Sequence, residues 1–496
     1  MFGIAVACVA VGSLPVFIGA QDGSRSLAAG DIPTFSQHVA PILFQNCVSC
    51  HRPGEAAPFP LMTYEEARKR ARQISEVTAK KFMPPWHAEP GHVALSSPRV
   101  LSDEQIGILQ RWSKEGAPEG EQARLPKLPV FTEGWQLGKP DLVLKMEKPF
   151  KVHAEGRDIY RHFVFPLNLP EDKWVRAVEF RPGARSVVHH ALFFLDTTGT
   201  ARALDEADVE PGFSEKAGAG RKFKPVGGWA LGSNVRVLPD GLAYLYPKGA
   251  DLVIQTHFHP TGKEEQEVST IGLFFAEKAP AQSFVGVQLP PAFGELSGID
   301  IPAGESNYVV KDQFTMPVDA EAFSISPHAH YIAKTMTMKA TLPGGKELIL
   351  LRIPDWDFAW QENYMFQERV RLPQGTRLET EIVYDNSASN PRNPASPPVR
   401  VKWGPASTDE MGSVTLHMVP AKEDEVELLR DALKDHSLDL VIDRAVTRPK
   451  QNATVKSLIQ RFDKNGNSQI DEEERPDLRR FIRASDWGQA NLNNSF

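Results

Sequence analysis

Between residues 126 and 425 the apolar residues come in short runs, each cut off by Gly, Pro, Asp or Asn, and no other feature limits the fold as much. The runs at 174–180, 187–195, 252–258, 271–275, 323–326, 348–353, 378–384 and 414–418 are too short for helices and have the length of strands. The 36 Gly and 40 Pro residues supply the turns between them. Many short strands with frequent turn signals predict antiparallel sandwiches or jelly rolls. About 300 residues exceed one such core, so the pattern predicts two in series, at 126–285 and 286–425. Heptads, a Rossmann glycine pattern and a Gly-x-Ser-x-Gly elbow are missing from the sequence. With 41% apolar residues the chain can bury real cores, which excludes a disordered protein. Its 56 basic and 63 acidic side chains leave a net charge of −7, which excludes a basic nucleic-acid-binding surface.

Residues 1–20 form the one stretch apolar enough to cross a bilayer, which excludes a multi-span transporter. The stretch reads as an export signal cleaved after Ala20, or as an uncleaved anchor. Unlike the usual signal, it has no Lys or Arg before its apolar run. The expected location is periplasmic or secreted, with or without an N-terminal membrane anchor. The three cysteines are Cys8, Cys47 and Cys50, so long-range disulfides cannot staple the body.

Cys47-Val48-Ser49-Cys50-His51 is a C-x-x-C-H motif, the attachment site of c-type haem: two thioethers fix the porphyrin edge and the next imidazole reaches the iron. The competing readings are a redox dithiol or half a zinc site, and zinc would need further thiolates or a distant His pair at helical spacing. Phe35, Val39, Ile42 and Leu43 make a helical stripe leading into the motif. Thr63 with Glu66, and Ser102 with Gln105, are capping boxes opening two more helices. The last of these carries Ile106, Leu109 and Trp112 and ends at Gly116. Residues 31–125 thus resemble a small all-α class I cytochrome c. Met83, in a proline-rich stretch, is the preferred sixth iron ligand, ahead of Met62, His87 and His92.

Six of the 14 histidines occur as close pairs: His189-His190, His257-x-His259 and His328-x-His330. On a strand, residues i and i+2 share a face, so His-x-His is a natural two-point chelate. Adjacent histidines face opposite ways, so His189 and His190 can share a metal only where the strand is irregular. Imidazoles without thiolates suit Cu, Zn, Fe or Ni, and an added Met would favour copper.

Three segments and a fourth short motif together resemble the copper type II, ascorbate-dependent monooxygenases, the family of the peptidylglycine and dopamine β-hydroxylating enzymes. Residues 188–194, Val-His-His-Ala-Leu-Phe-Phe, resemble its His-His strand; residues 254–260, with His257, resemble the segment giving the third ligand of the same copper. Residues 327–330, Pro-His-Ala-His, and 409–412, Asp-Glu-Met-Gly, resemble the His-x-His and the Met of the second copper. The resemblance implies two successive copper-binding jelly-roll-like domains whose two copper ions face an open cleft. It assigns His189, His190 and His257, but not His259, to an electron-transfer copper. It assigns His328, His330 and Met411 to the catalytic copper, where O₂ is reduced and an aliphatic C–H of a small organic substrate is attacked. It implies an external electron donor, an ascorbate-like reductant or a redox protein, and the fused haem c is an alternative entry for electrons. The peptide-processing members carry Arg, Asn and Tyr where this chain has Ser326, Ser413 and Thr415, so a substrate carboxylate would lose its charged anchor. A non-catalytic exported electron-transfer or copper-holding haem protein is the competing reading.

Residues 426–496 read as a helical tail. An amphipathic helix carrying Val455, Leu458, Ile459 and Phe462 enters a loop that matches an EF-hand, with ligand positions at Asp463, Asn465, Asn467, Gln469, Asp471 and Glu474. Leu478, Phe481 and Ile482 supply the exit helix. Ser468 stands where the loop's sharp turn usually has Gly, and two Asn ligands lower its charge, so the sequence predicts weak calcium binding.

Overall fold

The computed structural model describes residues 31–55, 57–131, 134–214, 223–231, 235–446 and 453–485; the apolar N-terminus and Cys8 lie outside them. The chain forms two compact units, Met1–Pro84 with Leu101–Pro129, and Pro85–Val100 with Val130–Phe496.

The first unit is helical. A π-turn, Phe35–Val39, runs into helix Ala40–Asn46, and Phe35, Val39, Ile42 and Leu43 are all buried, as their spacing predicts. Helix Tyr64–Lys69 opens on a reciprocal box: Glu66 N–H donates to Thr63 Oγ1 at 3.3 Å and Thr63 N–H to Glu66 Oε2 at 3.0 Å. Ser102 and Gln105 do the same for helix Asp103–Lys114, between which and the first lies helix Ala71–Ala79. Gly116 then takes φ +83°, a conformation other residues adopt only at a cost of about 1–2 kcal/mol. Trp112 is fully buried, with its Nε1–H on Pro118 O at 2.9 Å and its ring near that of Phe35.

The second unit is β-rich and contains two sandwiches of antiparallel strands. In the first, a five-stranded sheet is ordered Phe213–Ser214, Ile159–Pro166, Asp251–Phe258, Val188–Asp196, Lys224–Ala230. Its partner is ordered Leu142–Lys145, Thr270–Phe275, Lys173–Arg181, Tyr244–Tyr246. Phe163, Phe193, Leu252, Ile254 and Phe258 from one sheet meet Phe180, Ile271 and Leu273 from the other in one core. The second sandwich pairs Val285–Leu289, Gly412–Pro420, Ala320–Ala329, Tyr364–Leu372 with Tyr308–Thr315, Arg377–Tyr384, Ala333–Thr341, Glu347–Ile353. Its core is separate and holds Ile325, Met336, Leu351, Ile382, Leu416 and Met418. Seven of the eight apolar runs lie wholly in strands, and the run 187–195 enters its strand at Val188.

Residues 85–100 depart from the expected boundary at 125. They carry no apolar period and instead run along the second sandwich. Glu89 N–H donates to Arg352 O at 2.8 Å and Val93 N–H to Ile349 O at 3.3 Å; Ser96 N–H reaches Met365 O at 2.7 Å and Gln367 N–H reaches Ala94 O at 2.9 Å. Those partners belong to Glu347–Ile353 and Tyr364–Leu372, the outermost strands of their sheets, so one strap covers two open edges. Trp86 anchors it edge-on to Tyr364 at 5.0 Å between ring centroids.

Helix Val426–Val446 packs Leu429 and Leu433 onto the second sandwich. Its far end shares a small core with the tail, where Ile442 meets Ile459, Ile470 and Leu478.

Candidate metal centre

His189 and His190 lie on strand Val188–Asp196 and His257 on its neighbour Asp251–Phe258. The pairing passes from Val188↔Phe258 to His190↔His257, which leaves His189 as an extra residue. This bulge is the irregularity that two adjacent histidines need in order to turn the same way. The Nδ1 atoms of the three rings lie 3.2, 3.3 and 3.3 Å apart. Metal–nitrogen bonds of about 2.0 Å give a tetrahedral edge of about 3.3 Å, so the three atoms fit three corners of one coordination shell. The triad can hold a metal ion.

The remote nitrogens are held as well. His257 Nε2 meets Asp158 Oδ2 at 2.9 Å, and His189 Nε2 meets Ala359 O at 3.1 Å. Tyr160 stacks on His257 at 4.3 Å and 7°. Burial, then the charge of His257, pushes His189 down to about 4, and burial drives His190 well below its ordinary value. Both rings are therefore neutral at physiological pH, the form that binds metal. His259 is exposed and gives its Nδ1 to Asp158 at 2.8 Å, outside the triad.

His328 and His330 stand at the end of strand Ala320–Ala329, with ring centroids 5.5 Å apart. Here the nitrogens are used the other way round. His328 Nδ1 meets Gln361 Oε1 at 2.7 Å and His330 Nδ1 meets Asp409 O at 3.2 Å, which leaves each Nε2 as the coordinating atom. Gly412, directly after Met411, pairs with Ala329, directly before His330. Glu410 braces this junction: its carboxyl accepts from His330 N–H at 2.6 Å, Met411 N–H at 2.8 Å and Ile332 N–H at 3.2 Å. Full burial pushes Glu410 up to about 8, against those three donors. Tyr384 OH donates to Met411 O at 2.9 Å, and a Cβ on Gly412 would collide with that hydroxyl. Burial, then His328, takes His330 down to about 3.

Both clusters lie in the second unit and one ring packs against both. Phe358, 2% exposed, has its centroid 5.3, 6.1 and 5.8 Å from His189, His190 and His257, and 5.5 Å from His330. Beside His328 the wall is uncharged. Ser326 pairs with Thr415 and His328 with Ser413 across the sheet; Gln288 Nε2 meets Thr415 Oγ1 at 3.4 Å, and the Phe293 ring stands 5.2 Å from His328. The Ser413 hydroxyl is buried without a hydrogen-bond partner among the described residues.

In the first unit, His51 Nδ1 meets Phe59 O at 3.0 Å, which fixes the ring and leaves Nε2 as the nitrogen that would coordinate a metal. Cys47 and Cys50 are not joined to each other. Burial, then Cys50, pushes the Cys47 thiol up to about 12; a redox dithiol needs the opposite shift. Met83 is half-buried, with its N–H on Val77 O at 3.3 Å, and Met62 lies in the same unit. His87 and His92 belong instead to the second unit, where His92 pairs with Glu89.

The tail loop joins helices Ala453–Phe462 and Arg475–Ala484. Asn465 and Asn467 both donate from Nδ2 to Asp471 Oδ2, at 2.6 and 2.8 Å, while Asp463 accepts from Gly466, Asn467 and Ser468 N–H. Glu474 is buried and accepts from Lys464, Asn465 and Asp471 N–H, so position 12 caps the loop. Gln469 N–H donates to Asn467 Oδ1 at 2.8 Å. Ser468 takes φ +64°, the left-handed turn expected at that position.

Sequence reasoning did not single out Asp158, Gln361 or Phe358. Asp158 and Tyr160 are two apart, and Tyr160 pairs with His257, but a lone Asp-x-Tyr has no signal of its own. Gln361 and Phe358 lie in a connection, where no period marks a side chain's direction.

No family model and no curated protein matches this chain. Among solved structures it is similar to a peptide-N(4)-(N-acetyl-β-D-glucosaminyl) asparagine amidase, at 12% identity and TM-score 0.28, over 57% of this chain and 96% of that one. It is also similar to the major capsid protein P2 of bacteriophage PM2, at 12% identity and TM-score 0.26, over 57% and 98%.

Proposed function

We propose that this chain is an exported copper-dependent monooxygenase that hydroxylates an aliphatic C–H of a small organic substrate with O₂. The observation that carries the reading is the pair of imidazole sets with opposite presentation: three converging Nδ1 atoms in one, and two rings held by Nδ1 in the other, on a strand whose neighbour begins directly after Met411, in one compact unit. Copper in both sites would supply the one-electron steps with dioxygen, and a thioether in the second favours Cu(I). The protein's part is to hold His189, His190 and His257 with their Nδ1 atoms converged and to keep His328, His330 and Met411 in register through Glu410. Electrons enter through a c-type haem on Cys47, Cys50 and His51, with Met83 as sixth ligand. The His51 ring, fixed through its Nδ1, supports that role. The resemblance to the peptidylglycine and dopamine β-hydroxylating family and the calcium loop belong to the same reading. Ser326, Ser413, Thr415 and Gln288 offer hydrogen bonds but no charge, which suits a neutral polar substrate and disfavours a free carboxylate.

One observation favours the non-catalytic alternative. The buried Phe358 ring packs against both sets, as it would in a protein that stores copper or passes electrons without admitting a substrate. Protein matured with haem decides between them. The oxygenase binds two copper ions per chain and, supplied with an ascorbate-like reductant giving two electrons per turnover, consumes O₂ in proportion to hydroxylated product in a screen of small amides, amines and aromatics. Its Met411→Ala and His330→Ala variants lose product while keeping the first copper. Copper binding without substrate-dependent O₂ uptake favours the alternative.

A further inference from the structure

We propose that Asp158 is a positioning residue: its carboxylate aims His257 at the first metal and ties that ligand to the two segments carrying the second set. The inference rests on the two-metal reading above. Asp158 directly precedes strand Ile159–Pro166, and its side chain is 12% exposed. Oδ2 accepts from His257 Nε2 at 2.9 Å and from Ser407 Oγ at 3.1 Å, with the Tyr331 hydroxyl 3.5 Å away; Oδ1 accepts from His259 Nδ1 at 2.8 Å. A proton on His257 Nε2, held by a carboxylate, leaves Nδ1 as the one lone pair the ring can present, and Nδ1 is the atom in the triangle. A carboxylate behind a metal-bound imidazole also raises its donor strength. The stacked Tyr160 ring stops the imidazole from tipping.

The other two contacts leave the first sandwich. Tyr331 follows His330 directly, and Ser407 lies on the short segment leading to Glu410 and Met411. One carboxylate therefore touches a ligand of the first site and both ligand-bearing segments of the second. Its position sets the orientation of the first metal's third ligand together with the spacing of the two sets.

Asp158→Ala and Asp158→Glu in the full chain test this. In copper-loaded Asp158→Ala we expect the first-site Cu(II) paramagnetic signal to change, its potential to rise, and its copper affinity to fall by about 10- to 100-fold. The second-site signal should persist, and Asp158→Glu should restore most of the wild-type signature. In metal-free protein, ¹⁵N–¹H correlations should show His257 as the Nε2–H tautomer in the wild type and as a mixture in Asp158→Ala. A lower melting temperature with wild-type signal, potential and tautomer would overturn the proposal. If the wild type takes up no copper, the oxygenase reading fails, and the tautomer comparison alone decides the role of Asp158.

Discussion

An imidazole sealed inside a β-sandwich has to stay neutral, and His162 shows the consequence away from any ligand set. It is fully buried, stacked on Phe213 at 4.8 Å, with Gln255 Nε2 at 3.2 Å from its Nε2. Burial, partly offset by a backbone hydrogen bond, takes it down to about 4. Unfolded histidine titrates near 6.5, so between these values the unfolded chain binds the extra proton and stability falls as the pH drops. The loss approaches roughly 3 kcal/mol for this one residue, at about 1.36 kcal/mol per unit. Denaturant titrations at pH 7 and pH 4.5 should therefore show a smaller stability difference in His162→Gln than in the wild type; an equal difference would assign the acid sensitivity elsewhere. The same physics keeps His189, His190 and His330 unprotonated and ready for metal. Glu410 is the converse case. Its value lies in geometry, since three backbone N–H groups converge on it and each would cost about 1–3 kcal/mol if left buried and unpaired.

At the scale of elements, the local devices written in neighbouring residues appear where the sequence puts them. The boxes at Thr63 and Ser102, the turn at Gly116 and the eight strand runs need only short-range bonding and apolar period. The bulge at His189 is different: adjacency of two histidines demands an irregular strand, but the strand opposite decides where the extra residue falls. The strap at 85–100 has no period at all, and two uncovered sheet edges fix its course. In the tail loop, Ser468 at φ +64° stores strain that glycine would not. Ser468→Gly should stabilise the loop by about 1 kcal/mol and tighten calcium binding measured by titration calorimetry on the full chain. An unchanged or weaker calcium heat would mean that this turn does not limit the site.

At the scale of the whole molecule, the helical unit with Cys47, Cys50 and His51 and the β-rich unit with both imidazole sets are one chain, joined through Pro84–Pro85, Val100–Leu101 and Pro129–Val130. If that fusion feeds electrons to copper, pre-reduced haem should reoxidise faster when copper, O₂ and substrate are all present than when any one is withheld, as followed by stopped-flow absorbance. Equal rates would make the haem a docking module for some other redox partner. The sequence by itself determined the β-rich architecture and the helical character of the segment around C-x-x-C-H, because those depend on residue type, period and spacing. Only the tertiary structure decided which nitrogen of each imidazole its neighbours hold, that Asp158 and Glu410 brace the two sets, and that Phe358 packs against both. Those facts depend on side chains from strands and connections far apart in sequence, whose meeting is fixed by packing and not by any local pattern.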